Sequence, residues 1–215
     1  MIKTIIKKLC RLFPFRFIEV YLISRFNYNV LSYSQYGEDA ILRHFFAGKK
    51  NGFFVDVGAH HPTIFSNTYA LYRKGWRGIN IDCAPGVMTA FKKERPFDIN
   101  LEIGVSAKNE TLDFYIFGKP ALNTFSREKA RDLENRGFEI QSTVKIQTMP
   151  LKTILDNNLA SSCHIDFMNI DVEGFDLLVL QSNDWSKYKP DVIAIEGDNF
   201  TVENLSQSEI YMFLY

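Results

Sequence analysis

The chain has little cysteine and no excess of charge of either sign. Its 215 residues include three scattered cysteines, Cys10, Cys83 and Cys163, and no two of them form a Cys-x-x-Cys pair. This spacing argues against a disulfide framework or a zinc site and indicates reduced thiols in a cytoplasmic protein. The 25 basic residues balance the 25 acidic ones, so we expect no nucleic-acid partner.

The sequence also lacks an apolar run long enough to span a bilayer. Charges at Arg16 and Glu19 interrupt the best N-terminal segment, and no cleavage site of a secretory signal follows it. Residues 2–13 place apolar and basic side chains on opposite helical faces, which predicts a basic amphipathic helix within an N-terminal segment 1–30. Two interpretations stay open for residues 1–25: docking on the following domain, or peripheral contact with the inner membrane surface.

A complete Gly-x-Gly-x-x-Gly motif is the third absence. The apolar run 53–57 predicts a buried strand, and Gly58 with Ala59 predicts a sharp turn after it. A helix is expected to follow over residues 63–73 or 66–73. A strand, a tight turn and a helix together form a pocket for polar ligand groups. The missing second and third glycines argue against a cofactor that places a pyrophosphate at this turn.

The rest of the chain alternates strands and helices. Further strands are predicted at 78–82, 99–105, 165–172 and 191–197, and helices at 34–46, 85–95, 151–157, 175–181 and 206–215. An inserted section contributes strands at 111–117 and 144–149, and a helix at 127–136 that Ser126 caps. This order predicts an α/β fold with a doubly wound, mostly parallel sheet in one domain over residues 31–215.

The helix at 34–46 is expected to begin at Ser34 or at Glu38 and to pack through an apolar stripe. The stripe consists of Ala40, Ile41, Leu42, Phe45 and Phe46. Taken alone, this segment predicts a capped helix and no function.

Polar side chains stand at five successive strand ends. They are Asp56, Asp82, Ser106, Asp171 and Glu196. Ligands of doubly wound sheets bind at the carboxyl ends of the strands, so this set predicts one shared ligand site. Asp82 lies 24 residues beyond Gly58, near the spacing at which a carboxylate binds the hydroxyls of a ribose.

Six motifs give the chain a family resemblance. They are SQYGED (34–39), FVDVGAHHP (54–62), GWRGINID (75–82), ALNTF (121–125), IDFMNIDVEG (165–174) and AIE (194–196). With these motifs in this order, the chain resembles the FkbM-type family of S-adenosylmethionine-dependent methyltransferases. The resemblance implies the class I, Rossmann-like form of the sheet and S-adenosylmethionine as the cofactor.

The resemblance also implies which residues bind that cofactor. They are Asp56, Gly58, Ala59, His60, Asp82, Ser106, Gln35, Glu38 and Asn123. Asp56 with the glycine turn would shape the methionine side of the pocket. Asp82 would bind the ribose hydroxyls, and Ser106 would lie near the adenine.

The C-terminal end departs from the family pattern. A fold of this type continues past the helix after the fifth strand into an antiparallel hairpin, whereas residues 206–215 predict that helix and the sequence then stops. We therefore expect a C-terminally truncated domain that lacks the hairpin. Its fifth strand, 191–197, would be an exposed sheet edge.

The resemblance implies O-methylation of a hydroxyl on a sugar or glycolipid of polysaccharide biosynthesis, or on a secondary metabolite. Methyl transfer from a sulfonium is an in-line displacement, for which a hydroxyl acceptor needs a base. We rank Asp171 first as the catalytic base, followed by His61 and Glu173. Asp171, Glu173 and Glu196 could together hold Mg²⁺, although the sequence does not require the ion.

Two alternatives stay open. A nicotinamide- or nucleotide-dependent enzyme could use the same fold, and hydride-transfer activity would support it. A catalytically silent remnant of the methyltransferase fold is the other alternative. It is suggested by the sequence stopping before the C-terminal hairpin of the family pattern.

Overall fold

Five parallel strands form the centre of the computed structural model, which describes residues 31–160, 162–197 and 204–215. The strands in chain order are β1 (Phe53–Val57), β2 (Arg77–Asp82), β3 (Ile99–Glu102), β4 (Gly104–Val105), β5 (Glu110–Phe117), β6 (Ile140–Met149), β7 (Phe167–Ile170) and β8 (Val192–Ile195). The helices are α1 (Glu38–Phe45), α2 (Tyr69–Arg73), α3 (Met88–Glu94), α4 (Arg127–Asn135), α5 (Leu151–Asn158), α6 (Asp176–Gln181) and α7 (Glu209–Leu214). Short 3-10 helices cover Pro120–Leu122 and Leu205–Gln207.

The central sheet has the strand order β3-β2-β1-β7-β8, and every neighbouring pair in it is parallel. The chain therefore builds outwards from β1 in one direction and from β7 in the other, which confirms the predicted α/β doubly wound, Rossmann-like sheet. The insertion forms a second sheet of order β4-β6-β5, in which β5 and β6 are antiparallel. The strand order reverses between β1 and β7, where such folds bind ligands.

The two faces of the central sheet are covered by different helices. Alternate residues of β1 point to opposite faces, so Val55 and Val57 pack on one side and Phe54 on the other. The valine side is covered by α5 and α6, and the phenylalanine side by α1 and α2. Burial on both faces explains why β1 is a nearly continuous apolar run.

A row of polar side chains crosses the phenylalanine side of the sheet. Asn100, Asn80, Asp56 and Asn169 occupy matching register positions on β3, β2, β1 and β7. The Asn80 amide donates to Asn100 Oδ1 at 2.8 Å, and the Asn169 amide donates to Asp56 Oδ1 at 2.9 Å. These hydrogen bonds give the amide groups of Asn80 and Asn169 partners, which offsets the free-energy cost of burying them.

The predicted strand at 99–105 is wrong in one respect, because it is two strands in two sheets. β3 ends at Glu102, and the Ile103 backbone N–H donates to the Asp82 carbonyl. β4 then pairs with β6 in the second sheet. The change of sheet requires Gly104, since a Cβ there would lie 2.7 Å from Thr148 Cγ2. Ser106 therefore does not end a strand of the central sheet, contrary to our expectation.

The packing stripe predicted for α1 is also partly wrong. Leu42 and Phe46 are buried, but Ile41 is 70% exposed, Phe45 is 64% exposed and Ala40 is exposed. Asp39 is buried instead. Its carboxylate accepts the Tyr33 backbone N–H at 2.9 Å and the Ser32 hydroxyl at 2.7 Å, which turns this face of α1 inwards.

The helix after the glycine turn begins later than predicted, at Tyr69. The His61 ring accepts the backbone N–H groups of Thr63 and Ile64, each at 3.1 Å. The Ser66 N–H donates to the Tyr33 carbonyl. The Ser66 N–H is therefore not available for the bond to the Pro62 carbonyl that a helix starting at Thr63 would form.

The remaining expectations concern the two ends of the chain. The predicted C-terminal helix is present as α7, and β8 pairs with β7 alone among the described residues, as an edge strand does. Segment 1–30 lies outside the described residues, so its amphipathic helix and its membrane contact stay predictions, as does the missing hairpin. In the part of the chain that the structure describes, no helix is long and apolar enough to cross a membrane.

Candidate functional site

A pocket opens at the carboxyl ends of the central strands, where β1 and β7 adjoin. Its walls come from the glycine turn after β1, the loop after β2, the loop after β7, and the inserted section. Of the residues that the sequence singled out, nine line it: Gln35, Asp56, Gly58, Ala59, His60, Asp82, Asn123, Asp171 and Glu173.

The glycine turn is held by close backbone packing. Gly58 has φ of +80°, and a Cβ built on it would lie 1.7 Å from the Asp171 carbonyl oxygen. The N–H groups of Gly58 and Ala59 donate to the Ile81 carbonyl at 2.9 and 3.1 Å. Only glycine allows both the positive φ and this approach, so the residue type is dictated by the contact between the β1 and β7 loops.

Asp82 lines the pocket at the end of β2 and binds the backbone of two neighbouring loops. Its Oδ2 accepts the His60 backbone N–H at 2.8 Å, and its Oδ1 accepts the Ala84 N–H at 2.8 Å. Burial raises the pKa of this carboxyl, while the two N–H donors and the charge of His60 act in the opposite direction. A carboxylate oxygen can accept more than one hydrogen bond, so both oxygens retain capacity for ligand hydroxyls.

Asp56 is buried, and both of its carboxyl oxygens accept hydrogen bonds from neighbouring side chains. Thr68 Oγ1 donates to Asp56 Oδ2 at 2.5 Å, Asn169 donates to Asp56 Oδ1 at 2.9 Å, and Asn67 in turn donates to Asn169 Oδ1 at 2.9 Å. Burial is the main cause that raises the pKa of Asp56, and the Arg95 guanidinium opposes it. This arrangement suits a carboxyl group that shapes the pocket floor.

Three carboxyl groups meet where β7 and β8 end: Asp171 and Glu173 belong to the loop after β7, and Glu196 follows β8. Oxygens of Asp171, Glu173 and Glu196 all lie within 4.8 Å of one another. Burial in the cleft, and then the charges of Glu196, Glu173, Asp176 and Asp56, raise the pKa of Asp171 to about 8. Its side chain is nonetheless exposed, because it faces the open pocket while protein atoms surround its other sides. Such a carboxyl can exchange a proton near neutral pH.

The same loop is fixed by two external contacts. Asp176 accepts the N–H groups of Val172 at 3.1 Å and Gly174 at 3.0 Å, and the Thr124 hydroxyl donates to the Glu173 carbonyl at 2.7 Å. Glu173 has φ of +54°, which is costly for a residue with a Cβ. Strained backbone of this kind concentrates at functional sites.

Besides Glu196, three of the predicted site residues do not line the pocket. His61 binds backbone N–H groups through its ring and does not line the pocket, and burial lowers its pKa. Glu38 accepts the Tyr36 N–H at 3.0 Å at the start of α1. Ser106 is buried and donates to Glu110 Oε1 at 3.1 Å. In the described structure these three have structural partners, which sequence spacing could not reveal.

Three further predicted residues, His60, Asn123 and Gln35, line the pocket and have contacts of their own. His60 has φ of +54°, and its ring stacks on Phe65 with a centroid distance of 6.3 Å; burial lowers the pKa of His60. Asn123 Oδ1 accepts the Phe117 N–H at 2.8 Å, and the Gln35 amide donates to the Tyr36 hydroxyl at 2.9 Å. The Asn123 contact joins the end of β5 to the residue after the 3-10 helix, so it lies within the insertion.

Sequence reasoning missed several lining residues. They are Asn67, Asn169, Phe65, Phe114 and Phe125. Asn169 could have been found, since a polar side chain in the middle of the apolar run 165–172 needs a buried partner. The phenylalanines carry no such signal. Phe114 and Phe125 contact each other with ring centroids 4.8 Å apart, and nothing local marks them as pocket residues.

The Asp and Glu side chains that line the pocket have no basic counterpart among the described lining residues. Four carboxyl groups, those of Asp56, Asp82, Asp171 and Glu173, reach the pocket. No lysine or arginine is among the described residues that line it. The site therefore favours a cationic ligand group over a phosphate.

Comparison with known families agrees with this architecture. A family model for the methyltransferase FkbM domain matches residues 56–214, which is most of the chain. The fold is a Rossmann-like α/β fold, and the family match adds the methyltransferase class. The chain belongs to the FkbM methyltransferase family. No curated protein and no solved structure matches it.

Proposed function

We propose that this chain is an S-adenosylmethionine-dependent O-methyltransferase that methylates a hydroxyl of a sugar, a glycolipid or a secondary metabolite. The observation that carries the proposal is the placement of Asp82 and Asp171 on opposite walls of one pocket, joined by the Gly58 turn. Methyltransferase activity comes from the family. The cofactor, the hydroxyl acceptor and the residue roles are the proposed part.

The charge of the pocket supports this cofactor over a nicotinamide dinucleotide. S-adenosylmethionine carries a sulfonium and an ammonium group, and a lining with acidic side chains and no lysine or arginine among the described residues accommodates cationic groups better than a phosphate. A dinucleotide carries a pyrophosphate, which needs backbone donors or basic side chains, and the lining supplies no lysine or arginine among the described residues. Asp82 accepts the ribose hydroxyls in this arrangement, and the Gly58 turn leaves room for the methionine part.

Asp171 is the proposed catalytic base. The bound cofactor supplies an electrophilic methyl group. Asp171 would take the proton from the acceptor hydroxyl as the oxygen–methyl bond forms and the sulfur–methyl bond breaks, with the thioether as the leaving group, and its pKa of about 8 lies close to neutral pH. A cation in the pocket favours the ionised form of Asp171, which prepares the base when the cofactor is present. Glu173 holds the same loop and is the second candidate.

The test is isothermal titration calorimetry of the purified chain with S-adenosylmethionine, S-adenosylhomocysteine and NAD⁺. We expect micromolar affinity for the first two, no detectable NAD⁺ binding, and at least about 100-fold weaker binding in Asp82→Ala, since two lost hydroxyl contacts to a charged acceptor are worth roughly 3 kcal/mol. Asp113→Ala is the matched control, because Asp113 is an exposed acid of β5 outside the pocket.

The outcomes separate the alternatives. Binding of NAD⁺ in preference to S-adenosylmethionine would replace the proposal with a nucleotide-dependent enzyme. A chain that circular dichroism shows to be folded, yet binds none of the three compounds, would indicate a silent remnant. If the cofactor binds, transfer of a labelled methyl group to a panel of sugars, glycolipid precursors and phenolic compounds identifies the acceptor class, and Asp171→Asn should abolish the transfer.

A further inference from the structure

Lys129 reaches the carboxyl cluster from outside the central sheet. It belongs to α4 in the inserted section, and its Nζ lies 2.6 Å from Glu173 Oε2 and 3.4 Å from Glu196 Oε2. Its side chain is 18% exposed, so the ion pairs are largely shielded from solvent. The third carboxyl, of Asp171, has an oxygen within 4.8 Å of those of both glutamates. An ammonium group thus stands among acids whose spacing would suit a hard divalent cation.

The position of Lys129 is fixed by its surroundings. Ser126 caps α4 by accepting the Lys129 backbone N–H at 3.1 Å, which sets the first turn of the helix. Thr124 binds the Glu173 carbonyl, so the segment before α4 is tied to the loop that carries the acids. Gly174 lets the lysine stem pass, since a Cβ there would lie 3.3 Å from Lys129 Cδ. The insertion and the acidic loop therefore form one structural unit.

We propose that Lys129 is a built-in counter-ion, which takes the place of a divalent metal among Asp171, Glu173 and Glu196 and holds the two glutamates in position. Three carboxyl groups this close repel one another, and a largely shielded cation offsets the repulsion without an external ion. The proposed methyl transfer then proceeds without Mg²⁺. The metal-independent transfer rests on the proposed function, whereas the counter-ion role rests on the ion pairs alone. Lys129 acts as a positioning residue.

The test measures metal binding directly and does not depend on activity. Mn²⁺ is titrated into the full chain and followed by calorimetry and by the electron paramagnetic resonance signal of free Mn²⁺. The variants are Lys129→Met, which keeps the length of the side chain without its charge, and Lys129→Arg, which keeps the charge. Arg127→Met is the matched control, because it removes one positive charge from an exposed position of the same helix. Melting temperatures verify that each variant folds.

We expect Lys129→Met to bind one Mn²⁺ at least about tenfold more tightly than the wild type, Lys129→Arg and Arg127→Met do, with a dissociation constant below about 1 mM. Adding Glu196→Gln to Lys129→Met should abolish the gain. If S-adenosylmethionine-dependent transfer is measurable, it should resist EDTA in the wild type and become dependent on Mn²⁺ or Mg²⁺ in Lys129→Met.

Two results would overturn the proposal. One is a wild type that already binds Mn²⁺ as tightly as Lys129→Met and loses it with Glu196→Gln. The other is a folded Lys129→Met variant with no gain in Mn²⁺ affinity. If S-adenosylmethionine binds to no variant while the Mn²⁺ results are as expected, the cofactor assignment fails and the counter-ion role of Lys129 stands.

Discussion

Gly58 packs so closely against the carbonyl oxygen of Asp171 that its α-carbon has no room for a methyl group. A Cβ on Gly58 would lie 1.7 Å from that oxygen, and Gly58 has φ of +80°. The two residues are far apart in sequence, and each carries a loop of the pocket. Their contact fixes the distance between the two loops.

Gly58→Ala should therefore damage both stability and cofactor binding. An alanine at positive φ costs roughly 1–2 kcal/mol, and displacing the Asp171 carbonyl adds about 1–3 kcal/mol. We expect a loss of more than about 3 kcal/mol in the free energy of unfolding, measured by urea denaturation. Gly137→Ala is the control, since Gly137 has φ of +88° and nothing within 4 Å of its Cβ position. Equal losses in the two variants would refute the steric account.

Asp171→Asn should stabilise the folded chain, and more so at higher pH. The pKa of Asp171 is raised from 3.8 to about 8, so between these values the folded state binds more protons than the unfolded state. The contribution of Asp171 to the free energy of unfolding is fully present below about pH 4 and is lost as the pH rises through about 8. The asparagine variant has no carboxyl group to ionise, so its free energy of unfolding does not decrease in this way. We expect its melting temperature to exceed that of the wild type at pH 8 and to match it more closely at pH 5.

Added salt should reduce this difference, because Asp171 faces the open pocket and ions screen the neighbouring carboxylates. Asp113→Asn, at an exposed position of β5 outside the pocket, provides the comparison. A melting temperature of Asp171→Asn below that of the wild type at pH 8 would contradict the raised pKa. The expected gain in stability would come with a loss of activity, as is common when a strained site residue is replaced.

Arg95→Met should be severely destabilising. The Arg95 side chain is fully buried, and its Nε donates to Asp98 Oδ2 at 2.9 Å. Removing the arginine leaves a buried carboxylate without its cation, which costs about 3–5 kcal/mol. The double variant Arg95→Met with Asp98→Asn should recover part of that loss. Lys145→Met, which breaks the exposed pair with Asp113, should change stability by no more than about 0.5 kcal/mol in chemical denaturation.

Ser106→Ala should leave the affinity for S-adenosylmethionine within about twofold of the wild type, because Ser106 does not line the pocket. Its hydroxyl donates to Glu110, so the substitution should lower stability by about 1 kcal/mol. Calorimetric titration beside a thermal melt separates the two effects. A tenfold loss of affinity at unchanged stability would instead support the contact between Ser106 and the adenine that the family resemblance implied.

Much of the local structure could be predicted from the sequence. The apolar run 53–57, the turn at Gly58 and the cap at Ser126 each carry their own signal, and each forms as expected. The break at Gly104 could not be predicted, because the apolar pattern of 99–105 continues across it while the hydrogen bonds change sheets. The exposure of Ile41 and Phe45 was missed for a similar reason. Burial of Asp39 depends on donors outside the helix.

The sequence by itself determined the order of strands and helices, the acids that end them, and the glycine that the first turn requires, because these depend on side-chain periodicity and on local backbone sterics. Only the tertiary structure decided that Asp56 pairs with Asn169, that His61 and Ser106 serve the scaffold, and that Lys129 reaches the acidic loop. Those contacts arise when parallel strands align through helices on both faces, and strand register depends on the packing of the whole sheet.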